Sequence, residues 1–137
     1  MRNILVDSNI ILDIFLNDQN WHEWSESILS QYSLTHKLSI NPIIYTEISI
    51  GFERIEEVEK ALDTCGFKIL QMPKEALFLA GKAYISYKKR KGTKNATMPD
   101  FFIGAHAAVS EMELITRDVS RYQTYFPSVD LITPPLS

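Results

Sequence analysis

The sequence contains one cysteine, only five glycines and no long apolar run, and each shortage removes a class of protein. Cys65 has no partner for an internal disulfide, and a thiolate-rich metal site is excluded; it reads as a small buried apolar residue. No stretch approaches the ~20 apolar residues that a spanning helix requires. The residues after Arg2 meet Asp7 before any signal-like apolar core develops. A soluble, cytoplasmic protein is therefore expected, with no membrane association. A formal net charge of −3 excludes a chain that binds nucleic acid by overall basicity. There is also no glycine-rich phosphate loop and no nucleophile elbow. The three histidines, His22, His36 and His106, fall at no metal-binding spacing, and His106 reads as a structural, hydrogen-bonded residue.

What is present is a chain of 137 residues, 45% hydrophobic and 23% charged, enough for one domain with a proper core. No repeat or linker divides it, so a single domain over 1–137 is expected. Ile4-Leu5-Val6, Leu38-Ser39-Ile40, residues 67–70 and Leu114-Ile115-Thr116 are short β-branched or apolar runs that predict buried strands, with a further one at 129–132. Between them lie helical patterns. Ser8 can cap a helix whose inner face carries Ile10, Ile11, Ile14 and Phe15, with Asp13 exposed. A second helix spans about 21–32, and a third follows Pro42. Ile55, Val58, Leu62 and Cys65 form one stripe of an amphipathic helix stopped by Gly66. Pro73 opens a long helix with Leu77, Ala80, Tyr84 and Tyr87 on one side. Pro99 and Asp100 open another, with Phe102, Ala105, Val109 and Met112 facing inward. Strands interleaved with helices predict an α/β fold, a three-layer α/β/α arrangement on a mostly parallel sheet of four to five strands.

Ligands in such folds bind beyond the carboxyl ends of the strands. Asp7 and Asp118 each follow a predicted strand, Asp100 sits at a helix start, and Glu47 borders a buried stripe. Most other acids, such as Glu56, Glu57, Glu59 and Asp63, line a solvated helix face. Taken singly, Asp7 and Asp100 would serve as helix caps, worth roughly 0.3–2 kcal/mol. Brought together, two carboxylates ~4 Å apart repel by about 4 kcal/mol at an effective dielectric of ~20, so either some protonate or a cation enters. An oxygen-only donor set favours Mg²⁺ or Mn²⁺. Such a metal can activate water and neutralise phosphate oxygens. The run Lys88-Lys89-Arg90-Lys91 and Lys94 precede Asp100. Lys89, Arg90 and Lys91 are the candidates for tracking a phosphate backbone.

These residues resemble the PIN-domain ribonucleases, and among them the VapC toxins of bacterial toxin–antitoxin pairs. The resemblance rests on Ile4-Leu5-Val6-Asp7-Ser8-Asn9, Glu47-Ile48-Ser49-Ile50-Gly51, residues 99–107 and Leu114-Ile115-Thr116-Arg117-Asp118, in that order over nearly the whole chain. It implies a Mg²⁺- or Mn²⁺-dependent endoribonuclease acting on structured RNA such as transfer RNA. It also implies a homodimer neutralised by a VapB-type antitoxin; apart from the resemblance, Trp21 or Phe15, expected to be exposed, are candidate interface residues. It places Asp7, Glu47, Asp100 and Asp118 around the metal, with Asp7 and Asp100 first among the ligands. Thr116 would be a supporting hydroxyl and Asn9 a hydrogen-bonding residue of the site. Gly104 stands where the family more often has alanine, a cost of up to about 1 kcal/mol in a helix.

Two rival readings fit less well. A haloacid-dehalogenase-like phosphatase needs a second aspartate two residues after the first, and that position is Asn9. A receiver domain needs paired acids at its first strand. The alternative from another class is a catalytically silent PIN fold that binds RNA or protein without cutting. The complete acidic quartet argues against it, because gathered carboxylates repel one another.

Overall fold

A computed structural model describes residues 1–90 and 96–135. Its five strands are β1 (Arg2–Val6), β2 (His36–Ile40), β3 (Lys68–Ile69), β4 (Leu114–Ile115) and β5 (Leu131–Ile132). All pairings are parallel and the order is β3-β2-β1-β4-β5. Among the described residues the helices are α1 (Ser8–Phe15), α2 (His22–Ser33), α3 (Pro42–Ser49), α4 (Ile55–Cys65), α5 (Lys74–Lys89), α6 (Met98–Val109) and α7 (Val119–Gln123). The expected α/β architecture holds, and the sheet is parallel throughout.

The continuous apolar run of β1 explains its central place. Ile4, Leu5 and Val6 are all fully buried, which a strand achieves only when both faces and both edges are covered. Leu5 pairs with Ser39 on one side and with Leu114 on the other; Val6 pairs with Ile115. The chain builds outward from β1 through β2 to β3, then crosses back to lay β4 and β5 on the other side. The crevice between the carboxyl ends of β1 and β4 is therefore the topological switch point of the sheet, where open α/β folds bind ligands.

Several helix faces differ from the sequence reading. Asp13 is buried rather than exposed. Its carboxylate takes a two-point fork from Arg117, Nε at 2.8 Å and Nη2 at 2.9 Å, and a hydrogen bond from Ser25 Oγ at 2.8 Å. These three donors from two residues neutralise the charge, so an acid sits comfortably on a core-facing helix turn. On α5 the buried positions are Ala76 and Ala80, with Leu77 exposed. Small residues there let α5 approach α6 closely. On α6 the inward aromatic is Phe101 rather than Phe102, and Val109 is exposed. That helix is buried on nearly all sides, which blurs its period. A Cβ at Gly104 would collide with the ring of Phe126, so the departure from alanine has a packing cause. Gly66, at φ 71°, ends α4 in the left-handed region as expected. Cys65 is only half-buried. His106 is buried and pairs with the Asn41 side chain at 3.0 Å, as a structural residue does. Burial holds its pKa below the usual value.

Candidate active site

Asp7 caps α1. Its Oδ1 accepts the Ser8 amide at 2.8 Å, and it is this carboxylate, not the Ser8 hydroxyl, that starts the helix. The other oxygen, Oδ2, accepts the Thr116 hydroxyl at 2.7 Å and the Tyr122 hydroxyl at 2.8 Å. Asp7 is 4% exposed, while Thr116 and Tyr122 are fully buried. Burial raises the Asp7 pKa, opposed by the donors Thr116, Tyr122 and Ser8, and the neighbouring Asp100 raises it further. The same surroundings lift the Tyr122 phenol far above its ordinary range, burial first and the charges of Asp7 and Asp100 next. That phenol is thus a fixed donor.

Asp100 divides its oxygens the same way. At the third position of α6, its Oδ2 closes a capping box by accepting the Thr97 amide at 2.8 Å and the Thr97 hydroxyl at 3.0 Å. Its Oδ1 faces Arg121 Nη1 at 3.5 Å. The capping role and a site role therefore coexist, one oxygen each, in both buried aspartates.

Asp118 precedes α7 and is more exposed. Its Oδ2 accepts Asn9 Nδ2 at 3.1 Å and lies 3.6 Å from Arg121 Nη1, while its amide donates to the Thr116 hydroxyl at 3.1 Å. Thr116 thus links Asp7 to the backbone of Asp118. Glu47, on α3, joins through Ser8, whose hydroxyl donates to its Oε1 at 2.9 Å. Burial raises the Glu47 pKa; Ser8 opposes this, and the charges of Asp7 and Asp100 add to it. All four predicted acids, with Thr116 and Asn9, belong to one connected network.

Ser8, Arg121 and Tyr122 were not singled out from the sequence as members of this network. Arg121 could have been read from its spacing, three residues after Asp118 on a helix start. Tyr122 has no local signal, since its partner lies 115 residues away. Lys89 and Arg90 are exposed at the end of α5, which packs along α6. The Arg90 guanidinium lies 5.9 Å from the centroid of the Tyr125 ring. Lys91 lies outside the described residues.

The donor set suits a hard divalent cation. Every polar atom facing the cluster from Asp7, Glu47, Asp100, Asp118 and Thr116 is oxygen, and Asn9 adds a buried Oδ1 with no hydrogen-bond partner among the described residues. Among those residues no three acids form a ready-made metal cage. Mg²⁺ does not need one, since it takes one or two direct carboxylates and keeps several waters.

A model of the PIN domain matches residues 4–126. No curated protein matches the chain. Among solved structures, the chain is similar to VapBC2 from Rickettsia felis bound to a DNA fragment from its promoter. The TM-score is 0.73 at 17% identity, covering 96% of this chain and 98% of that one. It is also similar to VapBC-1 from nontypeable Haemophilus influenzae, with TM-score 0.70, 20% identity and coverage of 96% and 97%. DNA-bound VapBC from Salmonella typhimurium gives TM-score 0.68, 21% identity and coverage of 97% and 98%. At such identities the structural likeness speaks for the fold, and the sequence model independently spans most of the chain. This chain belongs to the PIN-domain family.

Proposed function

We propose that this PIN domain is a metal-dependent endoribonuclease, with Asp7, Glu47, Asp100 and Asp118 as the residues that hold Mg²⁺ or Mn²⁺. The observation that carries the reading is the network at the switch point of the sheet. Two buried aspartates each spend one oxygen on a helix cap, while the other oxygen of Asp7 accepts the Thr116 and Tyr122 hydroxyls and that of Asp100 faces Arg121, which it shares with Asp118. A bound divalent cation there supplies a nucleophilic water near neutral pH and charge neutralisation at the phosphate. The chain's own groups do the rest. Thr116 and Tyr122 fix the Asp7 carboxylate in one rotamer and donate to its charged form. Asn9 orients Asp118. Glu47, less deeply placed and with a raised pKa, is suited to accept a proton from water. Lys89 and Arg90, exposed at the end of α5, and Lys91, next in sequence, are the cations proposed for the RNA backbone.

The toxin role follows from the family reading. The similar structures from Rickettsia felis, Haemophilus influenzae and Salmonella typhimurium are described as VapBC assemblies. By analogy, a VapB-type antitoxin is the proposed protein partner of this chain and structured RNA, such as transfer RNA, its substrate. A homodimer is proposed as well; Leu77, Phe78 and Ile85 are exposed along α5 and offer an apolar face for a second copy. Among the described residues no helix is long and apolar enough to cross a membrane.

The test uses purified protein and a structured RNA pool with Mg²⁺, with Mn²⁺ and with a chelator. Cleavage that needs the cation and disappears in Asp7→Asn is expected. Equal cleavage by wild type and Asp7→Asn would end the assignment. RNA binding without cleavage or metal uptake would support the silent binding module.

A further inference from the structure

Four acids belong to the site, and among the described residues Arg121 is the cation in ion-pair range of two of them. Arg121 Nη1 stands 3.5 Å from Asp100 Oδ1 and 3.6 Å from Asp118 Oδ2, a single nitrogen shared between carboxylates on two different elements. Both distances lie well beyond the roughly 2.7–2.9 Å typical of charge-assisted hydrogen bonds. The neighbouring Arg117 shows what a permanent arginine pair looks like in this loop. It grips Asp13 through two nitrogens at 2.8 and 2.9 Å, with its own side chain 25% exposed. Arg121 is 44% exposed and reaches both acids through one nitrogen. Asp100, by contrast, cannot move to follow it, because the Thr97 capping box holds its other oxygen.

We infer that Arg121 is a resident counter-ion that competes with a divalent cation for Asp100 and Asp118, so that metal loading requires its displacement. This rests on the proposed metal-binding role of the acids. One positive charge on a flexible stem neutralises part of the repulsion when no metal is present. A divalent cation offers twice the charge to the same oxygens. The two cannot both take the oxygen atoms that face Arg121, and the arginine has an open path to water. Arg121 therefore sets the threshold cation concentration at which the centre fills.

The experiment is calorimetric titration of the metal-free full chain with Mn²⁺. Arg121→Gln should bind roughly five- to thirtyfold tighter than wild type, the loss of two partly exposed ion pairs that the metal no longer has to break. Lys82→Gln removes an exposed charge of α5, placed over the Phe78 ring and in no ion pair with the acids, and should bind as wild type does, which separates contact competition from a change in net charge. Arg121→Lys, which keeps the charge and loses the planar fork, should fall between wild type and Arg121→Gln and serves if the glutamine variant does not fold. In a thermal melt, Arg121→Gln should lower the midpoint of the metal-free protein more than that of the Mn²⁺-saturated protein. Equal or weaker Mn²⁺ binding by the Arg121 variants overturns the inference while leaving the metal site standing. No binding by wild type or by any variant overturns the metal site and this inference together.

Discussion

Two arginines four residues apart solve opposite problems. Arg117 faces one buried aspartate, Asp13, and is locked to it by a two-point fork, with Ser25 filling the remaining valence and Trp21 lying 5.1 Å beneath the guanidinium. Arg121 faces two aspartates and is locked to neither. The first pair ties the loop after β4 to α1 and α2, and so fixes the strand end from which Asp118 projects. The second leaves its carboxylates available. The lesson is that charge and burial alone do not separate a structural ion pair from a chemical one. The geometry of the cation does: Arg117 holds both oxygens of Asp13 at 2.8 and 2.9 Å, while Arg121 reaches one oxygen each of Asp100 and Asp118 at 3.5 and 3.6 Å.

Asp7→Asn should reduce RNA cleavage on the order of a hundredfold or more while leaving the fold intact, measured by single-turnover cleavage beside circular dichroism. An unfolded variant would move Asp7 to the structural class. At the structural end, Arg117→Ala strips Asp13 of both strong donors and should cost about 2–3 kcal/mol of unfolding free energy in a urea titration. A change within error of zero would show that the clamp is decorative. Tyr122→Phe lies between the two classes, because the hydroxyl serves Asp7 but the ring fills the core. It should lower cleavage roughly tenfold with a smaller stability change, and retention of full activity would assign Tyr122 to packing alone.

The smallest expected effect is a pH slope. Burial raises the folded-state pKa of Asp7 and Glu47 above their ordinary values of 3.8 and 4.5. The metal-free fold then binds these protons more tightly than the unfolded chain does. Their contribution to stability is complete below the ordinary values and is lost as pH rises through the raised ones. Urea midpoints of the metal-free protein should fall across that window, and Asp7→Asn should flatten the fall. Added Mn²⁺ should counter it, since metal binding favours the ionised carboxylates. A slope unchanged in Asp7→Asn would show that Asp7 is not the titrating group.

Much of this was legible from local pattern. Ile4-Leu5-Val6 ends in an acid, and a buried parallel strand must deliver its next residue to the ligand-binding edge. The same logic located Asp118. Pro99 and Asp100 read as a helix start, and the capping box bears that out two residues further upstream, at Thr97. What stayed hidden depends on contacts distant in sequence. Asp13 looked solvated because its neutralising partner, Arg117, lies 104 residues later. Leu77 looked buried because leucine usually is, yet the alanines beside it make the closer helix packing. Phe101 and Phe102 could not be told apart on a helix surrounded on nearly every side.

Thr116 and Tyr122 reach Asp7 across 109 and 115 residues. During synthesis the two hydroxyls that complete the surroundings of Asp7 are made more than a hundred residues after it. At ribosomal speeds of about 5–20 residues per second the interval is on the order of ten seconds. Throughout it the first helix cap can form, but the centre cannot close. The order of translation thus places a delay between making the acid and assembling the site, and every nascent chain passes through a stage that is structured in part and chemically unfinished.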